Sequence, residues 1–332
     1  PTAAVSCAAA SDGIGLGIMI TASHNPWHDN GVKLFGSDGK KLGDAEQERL
    51  VALFGSPPPE VGEGARLDFS EKAKGIWMEQ MPSTDLGGLR ILLDCANGSA
   101  HALGPELLES MGAEVVRRGC APNGENINLG VGALHPPEDL GDCDLGICLD
   151  GDADRVIMVD RENGILDGDD LLWLLQPESG KLVGTVMTNG GLDEAFRGRL
   201  VRAKVGDRNV AKKMAEHGAP VGAETSGHVL FSDGLPTGDG IYSALRVLQK
   251  RGRPPFSLDG WKRWPKSQLN IRFMGERIEL GSLDSIQAAR DAGQRVIVRY
   301  SGTEPKLRIL VEGSDASSWA ERIKDEFQRR AG

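Results

Sequence analysis

The sequence predicts an α/β protein built from several consecutive strand–helix units, with a smaller α+β domain after them. Three observations point there. Short apolar runs of strand length alternate with capped or amphipathic stretches of helix length. Several of the apolar runs stop at polar loops rich in Asp, Ser and Gly. Arg251-Gly252-Arg253-Pro254-Pro255 breaks regular structure and reads as a linker ahead of a last, shorter segment. A chain of 332 residues has room for two or more domains.

In chain order, Leu16 to Ile20 reads as a buried strand, and Asn25-Pro26 forces the turn after it. Gly31 to Phe35 is the next strand. Asp44 caps a helix through Leu53, with Gln47 as its capping-box partner. A second unit has strands at 90–94, 114–116 and 144–149, with a helix from Pro105 to Met111 that Gly112 stops. A further strand, 155–159, leaves an acidic cluster. A third unit has strands at 182–188 and 201–205 and helices at 210–216 and from Asp239 to Gln249. Alternation of this kind indicates a largely parallel or mixed sheet covered on both faces. In the last segment Ser282 caps a helix that stops at Gly293, strands follow at 295–300 and 306–312, and an amphipathic helix runs from Ala316 to Arg330. Trp261 and Trp264 read as packing residues.

The formal charge is −10, which argues against nucleic acid or an anionic membrane as a partner. It leaves room for an anionic small substrate held by a local group of Arg and Lys. No apolar run is long enough to span a bilayer. The five cysteines, Cys7, Cys95, Cys120, Cys143 and Cys148, include no C-x-x-C pair. Cys95 and Cys148 read as buried thiols, and the odd count favours a reducing, cytoplasmic setting.

Four loops carry the chemistry. The first is Thr21-Ala22-Ser23-His24-Asn25-Pro26, where Ser23 leaves a strand at the sheet edge at which α/β folds place ligands. Alone it reads equally as a polar turn, and no G-x-S-x-G elbow accompanies it. The second is Asp150-Gly151-Asp152-Ala153-Asp154-Arg155. Alternating carboxylates at a strand end can turn toward one point, and oxygen-only donors suit a hard cation, Mg²⁺ beside phosphate. A calcium EF-hand is excluded, because its sixth and twelfth positions fall on Arg155 and Arg161. The third loop is Glu224-Thr225-Ser226-Gly227-His228, with acceptors and donors suited to sugar hydroxyls. The fourth is Arg299-Tyr300-Ser301-Gly302-Thr303, with Arg308 nearby, where hydroxyls, backbone N–H groups and guanidinium forks can hold a dianion.

In this order the four motifs resemble the α-D-phosphohexomutases, the bacterial phosphoglucosamine mutases most closely, along the whole chain. The resemblance implies three related α/β/α sandwich domains, the first truncated, plus a C-terminal α+β domain around a central cleft. It places them at 1–85, 86–166, 167–255 and 256–332. It implies that Ser23 is phosphorylated and, through a phosphoryl oxygen, joins Asp150, Asp152 and Asp154 as a ligand of one Mg²⁺. Lys33, ten residues after Ser23, matches the family's general acid/base, which would require a lowered pKa. His24 and His228 are further proton-transfer candidates, and Arg155 adds positive charge. Glu224, Ser226 and His228 would read the sugar ring together with Gly206 and Asp207. Arg299, Ser301, Gly302, Thr303 and Arg308 would hold the phosphate that is not reacting. Ala153 and Gly206-Asp207-Arg208 resemble the glucosamine branch.

The function so implied is interconversion of glucosamine 6-phosphate and glucosamine 1-phosphate, with a hexose 1,6-bisphosphate as activator and a monomer or homodimer as the working form. Phosphoglucomutase or phosphomannomutase activity, or sugar-phosphate binding without turnover, are the alternatives within the family. An aspartate-nucleophile phosphatase using Asp150 and Asp152 would need a small hydroxyl residue where Asp154 stands, and it leaves Ser23 and Ser301 unexplained.

Overall fold

A computed structural model describes residues 1–11, 13–57, 62, 64–274, 277–301 and 305–331. The chain forms two compact units, one of residues Pro1–Thr188 and Arg199–Leu258, the other of Asn189–Gly198 with the segment from Asp259 onward. No helix among the described residues is long and apolar enough to cross a membrane.

The first unit opens with helix α1 (Thr2–Ala9), whose small side chains pack on an antiparallel ribbon of β1 (Leu16–Thr21) and β2 (Gly31–Gly36). Small residues are what allow this close approach. The ribbon corrects the expectation of a buried strand. Only one face is covered, and Leu16, Ile18, Ile20 and Val32 on β1 and β2 are exposed. Helix α2 (Asp44–Leu53) follows, but Asp44 is already inside it. The cap is Gly43, whose N–H donates to the Glu46 carboxylate, 2.8 Å away. Helix α3 (Ser70–Glu79) had no signature in the pattern; it buries Trp77, whose indole N–H donates to buried Asp239 at 2.8 Å.

A five-stranded sheet comes next, made of β3 (Arg90–Asp94), β4 (Glu114–Arg118), β5 (Leu145–Leu149), β6 (Val156–Asp160) and β7 (Gly164–Leu166), with helix α4 (Leu103–Ser110) between β3 and β4. The spatial order is β4-β3-β5-β6-β7. The pairs β3–β4 and β3–β5 are parallel, while β5–β6 and β6–β7 are antiparallel. Every residue of β5 and β6 is buried, which is why both read as unbroken apolar runs. Their register closes at Leu149↔Val156, so residues 150–155 form the turn of a hairpin.

Helix α5 (Gly168–Leu174), capped by Asp167, leads to β8 (Leu182–Thr185). Helix α6 (Gly191–Phe196) belongs to the second unit, after which β9 (Leu200–Ala203) and α7 (Asp207–His217) return to the first. Strands β10 (Val221–Ala223) and β11 (Val229–Phe231) complete a sheet of order β11-β10-β8-β9, parallel except for the β10–β11 hairpin. That hairpin closes at Ala223↔Val229 around residues 224–228. Helix α8 (Gly240–Arg251) starts at Asp239, whose carboxylate accepts the Tyr242 N–H at 2.8 Å. The basic stretch after it is tied down on the first unit. Arg251 donates to Leu174 O, Arg253 to Gly87 O, and Phe256 N–H to Asp160.

The second unit is an antiparallel sheet of β12 (Lys266–Arg272), β13 (Arg295–Tyr300) and β14 (Lys306–Glu312), ordered β12-β14-β13, with α9 (Asp284–Asp291) and α10 (Ala316–Ala331) packed on it. Leu283, Ile286, Leu307, Ile309, Ile323 and Phe327 form its core. Ser282 does not cap α9. Glu326, reaching over from α10, accepts the N–H groups of Asp284 and Ser285 at 3.1 and 2.8 Å. A sequence window cannot reveal a cap supplied from a distant helix. Buried Glu312 accepts from Arg295 and from Gly190 N–H, which holds α6 to this sheet.

Phe327 is fully buried at the centre of the second unit. Phe327→Ala is expected to lower the unfolding free energy of that unit by about 3–5 kcal/mol, read from denaturant midpoints. A loss below about 1 kcal/mol would show that the core lies elsewhere.

Candidate active site

Ser23 sits in the turn after β1, where Thr21↔Gly31 is the last paired position of the ribbon. Its φ is +54°, a left-handed conformation rare for a residue with a side chain. The Ser23 N–H donates to Thr21 Oγ1 at 2.8 Å, which helps to fix that conformation. Its hydroxyl lies 3.4 Å from Asp150 Oδ2 and 3.4 Å from His24 Nδ1. Its carbonyl accepts the Gly151 N–H at 3.0 Å. A Cβ on Gly151 would collide with that carbonyl, so the two loops can touch only with glycine there.

The β5–β6 turn gathers Asp150, Asp152 and Asp154, all buried, with one carboxylate oxygen of each within 4.8 Å of the others. Burial, then the charges of Asp154 and Asp152, pushes the Asp150 carboxyl well above its ordinary value. Burial also works against charge on Asp154, but His228 and Lys33 outweigh it and hold that carboxyl well below the usual range. Asp152 Oδ1 and Asp154 Oδ1 are buried without a hydrogen-bond partner. Oxygen atoms left so in a buried acidic cluster fit a cation, and an all-oxygen donor set fits a hard one.

Lys33 reaches into the triad from β2, with Nζ 2.5 Å from Asp152 Oδ2 and 2.6 Å from Asp154 Oδ2. Burial pulls its pKa down, but Asp154 and Asp152 more than reverse this and hold it above an ordinary lysine. The lowered pKa expected for a base is therefore not found here, because the partners of Lys33 are two anions. Arg155 Nε lies 3.9 Å from Asp150 and 3.8 Å from Asp154. Burial, then the charge of Arg155, lowers the His24 pKa. Thr2, from α1, donates its hydroxyl to Asp152 Oδ2 and its N–H to Asp152 O at 2.9 Å.

The β10–β11 turn joins this group directly. Val156 N–H donates to Gly227 O at 3.0 Å, and Gly227 holds φ +88° where any Cβ would strike the Val156 carbonyl. His228 is buried, with Nδ1 3.5 Å from Asp154 Oδ1 and Nε2 3.8 Å from Asp207 Oδ2. Asp207 also pairs with Lys41. Glu224 Oε1 accepts the Gly206 N–H at 2.8 Å, so the two predicted sugar-reading segments are fastened to each other. Ser226 is exposed at the tip of the turn.

Ser23, His24, Asp150, Asp152, Asp154, Arg155, Glu224, Ser226 and His228 thus lie on three neighbouring hairpin turns of the first unit, with Lys33 on β2 and Gly206 and Asp207 at the start of α7. The second unit carries the fourth loop. Arg299 and Arg308 are direct cross-strand partners on β13 and β14, two like charges placed face to face. Buried Ser301 donates its N–H to Lys306 O at 2.8 Å. The expected Gly302 and Thr303 lie outside the described residues.

Asn128 had no signal in the sequence beyond being one of several Asn in a loop. It is buried, has φ +59°, and donates from Nδ2 to Ser23 O at 2.9 Å and to Asn25 O at 2.8 Å. Its own N–H donates to Ala96 O at 2.8 Å.

Comparison with known proteins gives the class. Four models of the phosphoglucomutase/phosphomannomutase family match in succession: α/β/α domain I at residues 1–57, domain II at 73–164, domain III at 168–257 and the C-terminal domain at 284–330. The chain belongs to this family, the α-D-phosphohexomutases. Phosphoglucosamine mutase of Geotalea daltonii is 40% identical over 360 aligned positions, covering 95% of this chain and 78% of that protein. Phosphoglucosamine mutase of Escherichia coli O1:K1 / APEC is 40% identical over 348, covering 93% and 78%. Among solved structures, Aspergillus fumigatus N-acetylphosphoglucosamine mutase in complex with GlcNAc-6P and magnesium shares the fold, with TM-score 0.74 and 19% identity over 100% of this chain and 93% of that one. A phosphoglucomutase/phosphomannomutase family protein of Burkholderia thailandensis gives TM-score 0.70 and 27% identity over 95% and 75%.

Asp152→Asn is expected to weaken Mg²⁺ or Mn²⁺ binding at least about tenfold, measured by titration calorimetry on the folded protein. Undiminished affinity would remove the triad as the cation site.

Proposed function

We propose that this chain is a phosphoglucosamine mutase, interconverting glucosamine 6-phosphate and glucosamine 1-phosphate through phospho-Ser23. The observation that carries the chemistry is the Ser23 hydroxyl 3.4 Å from Asp150, at the edge of a buried carboxylate triad with unpartnered oxygens. The two relatives that are 40% identical over most of the chain support the substrate. The Aspergillus relative, solved with a sugar 6-phosphate and magnesium, supports the ligand classes.

Asp150, Asp152, Asp154 and a phosphoryl oxygen on Ser23 would hold the cation, taken as Mg²⁺. When bound, it draws negative charge from the transferring group. The protein's own task is placement and charge, since phosphoryl transfer needs little covalent work from side chains. In the first half-reaction a sugar hydroxyl bonds to phosphorus as the Ser23 Oγ–P bond breaks, giving the hexose bisphosphate. In the second, Ser23 Oγ takes the other phosphoryl group. A proton must leave the attacking hydroxyl and reach the departing serine oxygen. His24, its pKa lowered and its Nδ1 beside Ser23 Oγ, is placed to accept a proton, and Lys33, its pKa raised, is placed to give one. Lys33 serves as a base only after leaving its two carboxylate partners, and a bound cation competing for those carboxylates would loosen it. Arg155 adds charge at the same point.

Glu224, Ser226 and His228, with Gly206 and Asp207, are assigned to the sugar ring. Arg299, Ser301 and Arg308, with Gly302 and Thr303, are assigned to the non-reacting phosphate. The cross-strand placement of Arg299 and Arg308 on β13 and β14 supports this, because it puts two cations side by side next to the Ser301 loop. We assign one loop to each of four domains, at 1–85, 86–166, 167–255 and 256–332. A hexose 1,6-bisphosphate would load Ser23 at the start.

Coupled turnover of each hexose phosphate with a bisphosphate primer tests the reading. The amino sugar is expected to turn over fastest, and Ser23→Ala to abolish both turnover and the phosphorylated species seen by intact mass. Faster turnover of glucose or mannose phosphate would assign the chain to the phosphoglucomutase or phosphomannomutase branch. Phosphate found on Asp150 in place of Ser23 would favour a phosphatase.

A further inference from the structure

The mechanism leaves the cysteines unused, and two of them meet. Cys95 follows Asp94 at the end of β3, and Cys120 lies two residues beyond Arg118 at the end of β4. The two strands are parallel neighbours in register at Asp94↔Arg118. Cys95 is fully buried and Cys120 is partly exposed. Cys120 Sγ lies 3.2 Å from Arg118 O and 4.0 Å from Leu93 O, so its side chain reaches β3 two residues before Cys95. Gly119, at φ +57°, breaks the strand alternation just before Cys120 and lets that side chain turn toward β3, and residues one position out of register on adjacent parallel strands have Cα atoms roughly 6 Å apart, within the span of a disulfide.

These strand ends lead to the reacting serine. Cys95 is followed by Ala96 and Asn97, both left-handed at φ +54° and +50°. Asn97 accepts the N–H of Ala121, the neighbour of Cys120, at 3.1 Å. Ala96 O accepts the N–H of Asn128, and the Asn128 side chain holds the carbonyls of Ser23 and Asn25. A backbone already held in a strained conformation on both sides of this link has little freedom to absorb a new covalent bond.

We propose that Cys95 and Cys120 form a redox modification site that takes a low-molecular-weight disulfide, closing into a Cys95–Cys120 bond that loosens the Asn128 hold on Ser23. The exposed Cys120 reacts first. The neighbouring Cys95 draws the Cys120 thiol below its ordinary pKa, while Cys120 and burial hold Cys95 up. The Cys120 thiolate attacks one sulfur of glutathione disulfide, forming a Cys120–glutathione bond and releasing one glutathione thiolate. Cys95 then gives up its proton and attacks the Cys120 sulfur, releasing the second. The two protein thiols are oxidised, the reagent is reduced to two thiols, and both protons end on the released glutathiones. The effect on turnover rests on the mutase reading, whereas bond formation does not.

The test treats the reduced full chain with glutathione disulfide and follows three readouts. Peptide mapping is expected to show a Cys95–Cys120 disulfide, absent from Cys120→Ser, which keeps its basal turnover. Amide exchange in the segments around Ser23 and Gly151 is expected to quicken. Turnover is expected to fall at least about tenfold and to return with dithiothreitol, because small displacements of a reacting group cost rate steeply. A stable glutathione adduct on Cys120 with no internal bond overturns the site. An internal bond with unchanged amide exchange and turnover overturns the coupling. A reduced protein without turnover counts against the mutase reading alone, since the mass and exchange readouts still decide the dithiol.

Discussion

The arrangement of the first unit follows from placing three carboxylates in one buried hairpin turn. Buried charge of one sign is costly unless compensated, so positive and donating groups must converge on Asp150, Asp152 and Asp154 from elsewhere. They come from four parts of the chain: Lys33 from β2, Arg155 from the turn itself, His228 from the β10–β11 hairpin and Thr2 from α1. The contacts of Lys33, His228 and Thr2 join segments far apart in sequence. The Lys33 ammonium fills the electrostatic role that a cation would take. The same charge requirement makes the turn the knot that draws the Ser23 turn and the β10–β11 turn together.

One structural theme recurs at all four functional loops. Each lies between the closing residues of an antiparallel strand pair: Thr21↔Gly31, Leu149↔Val156, Ala223↔Val229 and Tyr300↔Leu307. In the two larger sheets, parallel strands supply the buried body and a hairpin at the side presents the loop. Residue identity does not reveal this kinship, because the loops share a position and not a composition. Rigid strands on both sides fix where each loop begins and ends, which suits a reaction governed by placement.

Much of this was legible beforehand, for identifiable reasons. Strands β5 and β6 are covered on both faces, so their sequence is continuously apolar and marks the acidic turn between them. The ribbon β1–β2 looks similar in sequence, yet Ile18 and Ile20 face outward, because only α1 covers it; apolarity alone cannot count covering layers. Asn128 escaped notice since its role depends on two carbonyls more than a hundred positions away. The pairing of Cys95 with Cys120 depends on strand register, and the cap of α9 comes from Glu326 in another helix. The elevated pKa of Lys33 follows from which charges surround it, which spacing from Ser23 does not convey.

The left-handed backbone of Ser23 has a bearing on which nucleophiles this turn can accept. Threonine also offers a hydroxyl, but its branched Cβ is poorly tolerated at positive φ. Asparagine and glycine suit that backbone and have no hydroxyl to phosphorylate. Among residues with an aliphatic hydroxyl, serine enters this backbone more readily than threonine, so the turn geometry together with the hydroxyl that the proposed chemistry needs favours serine here.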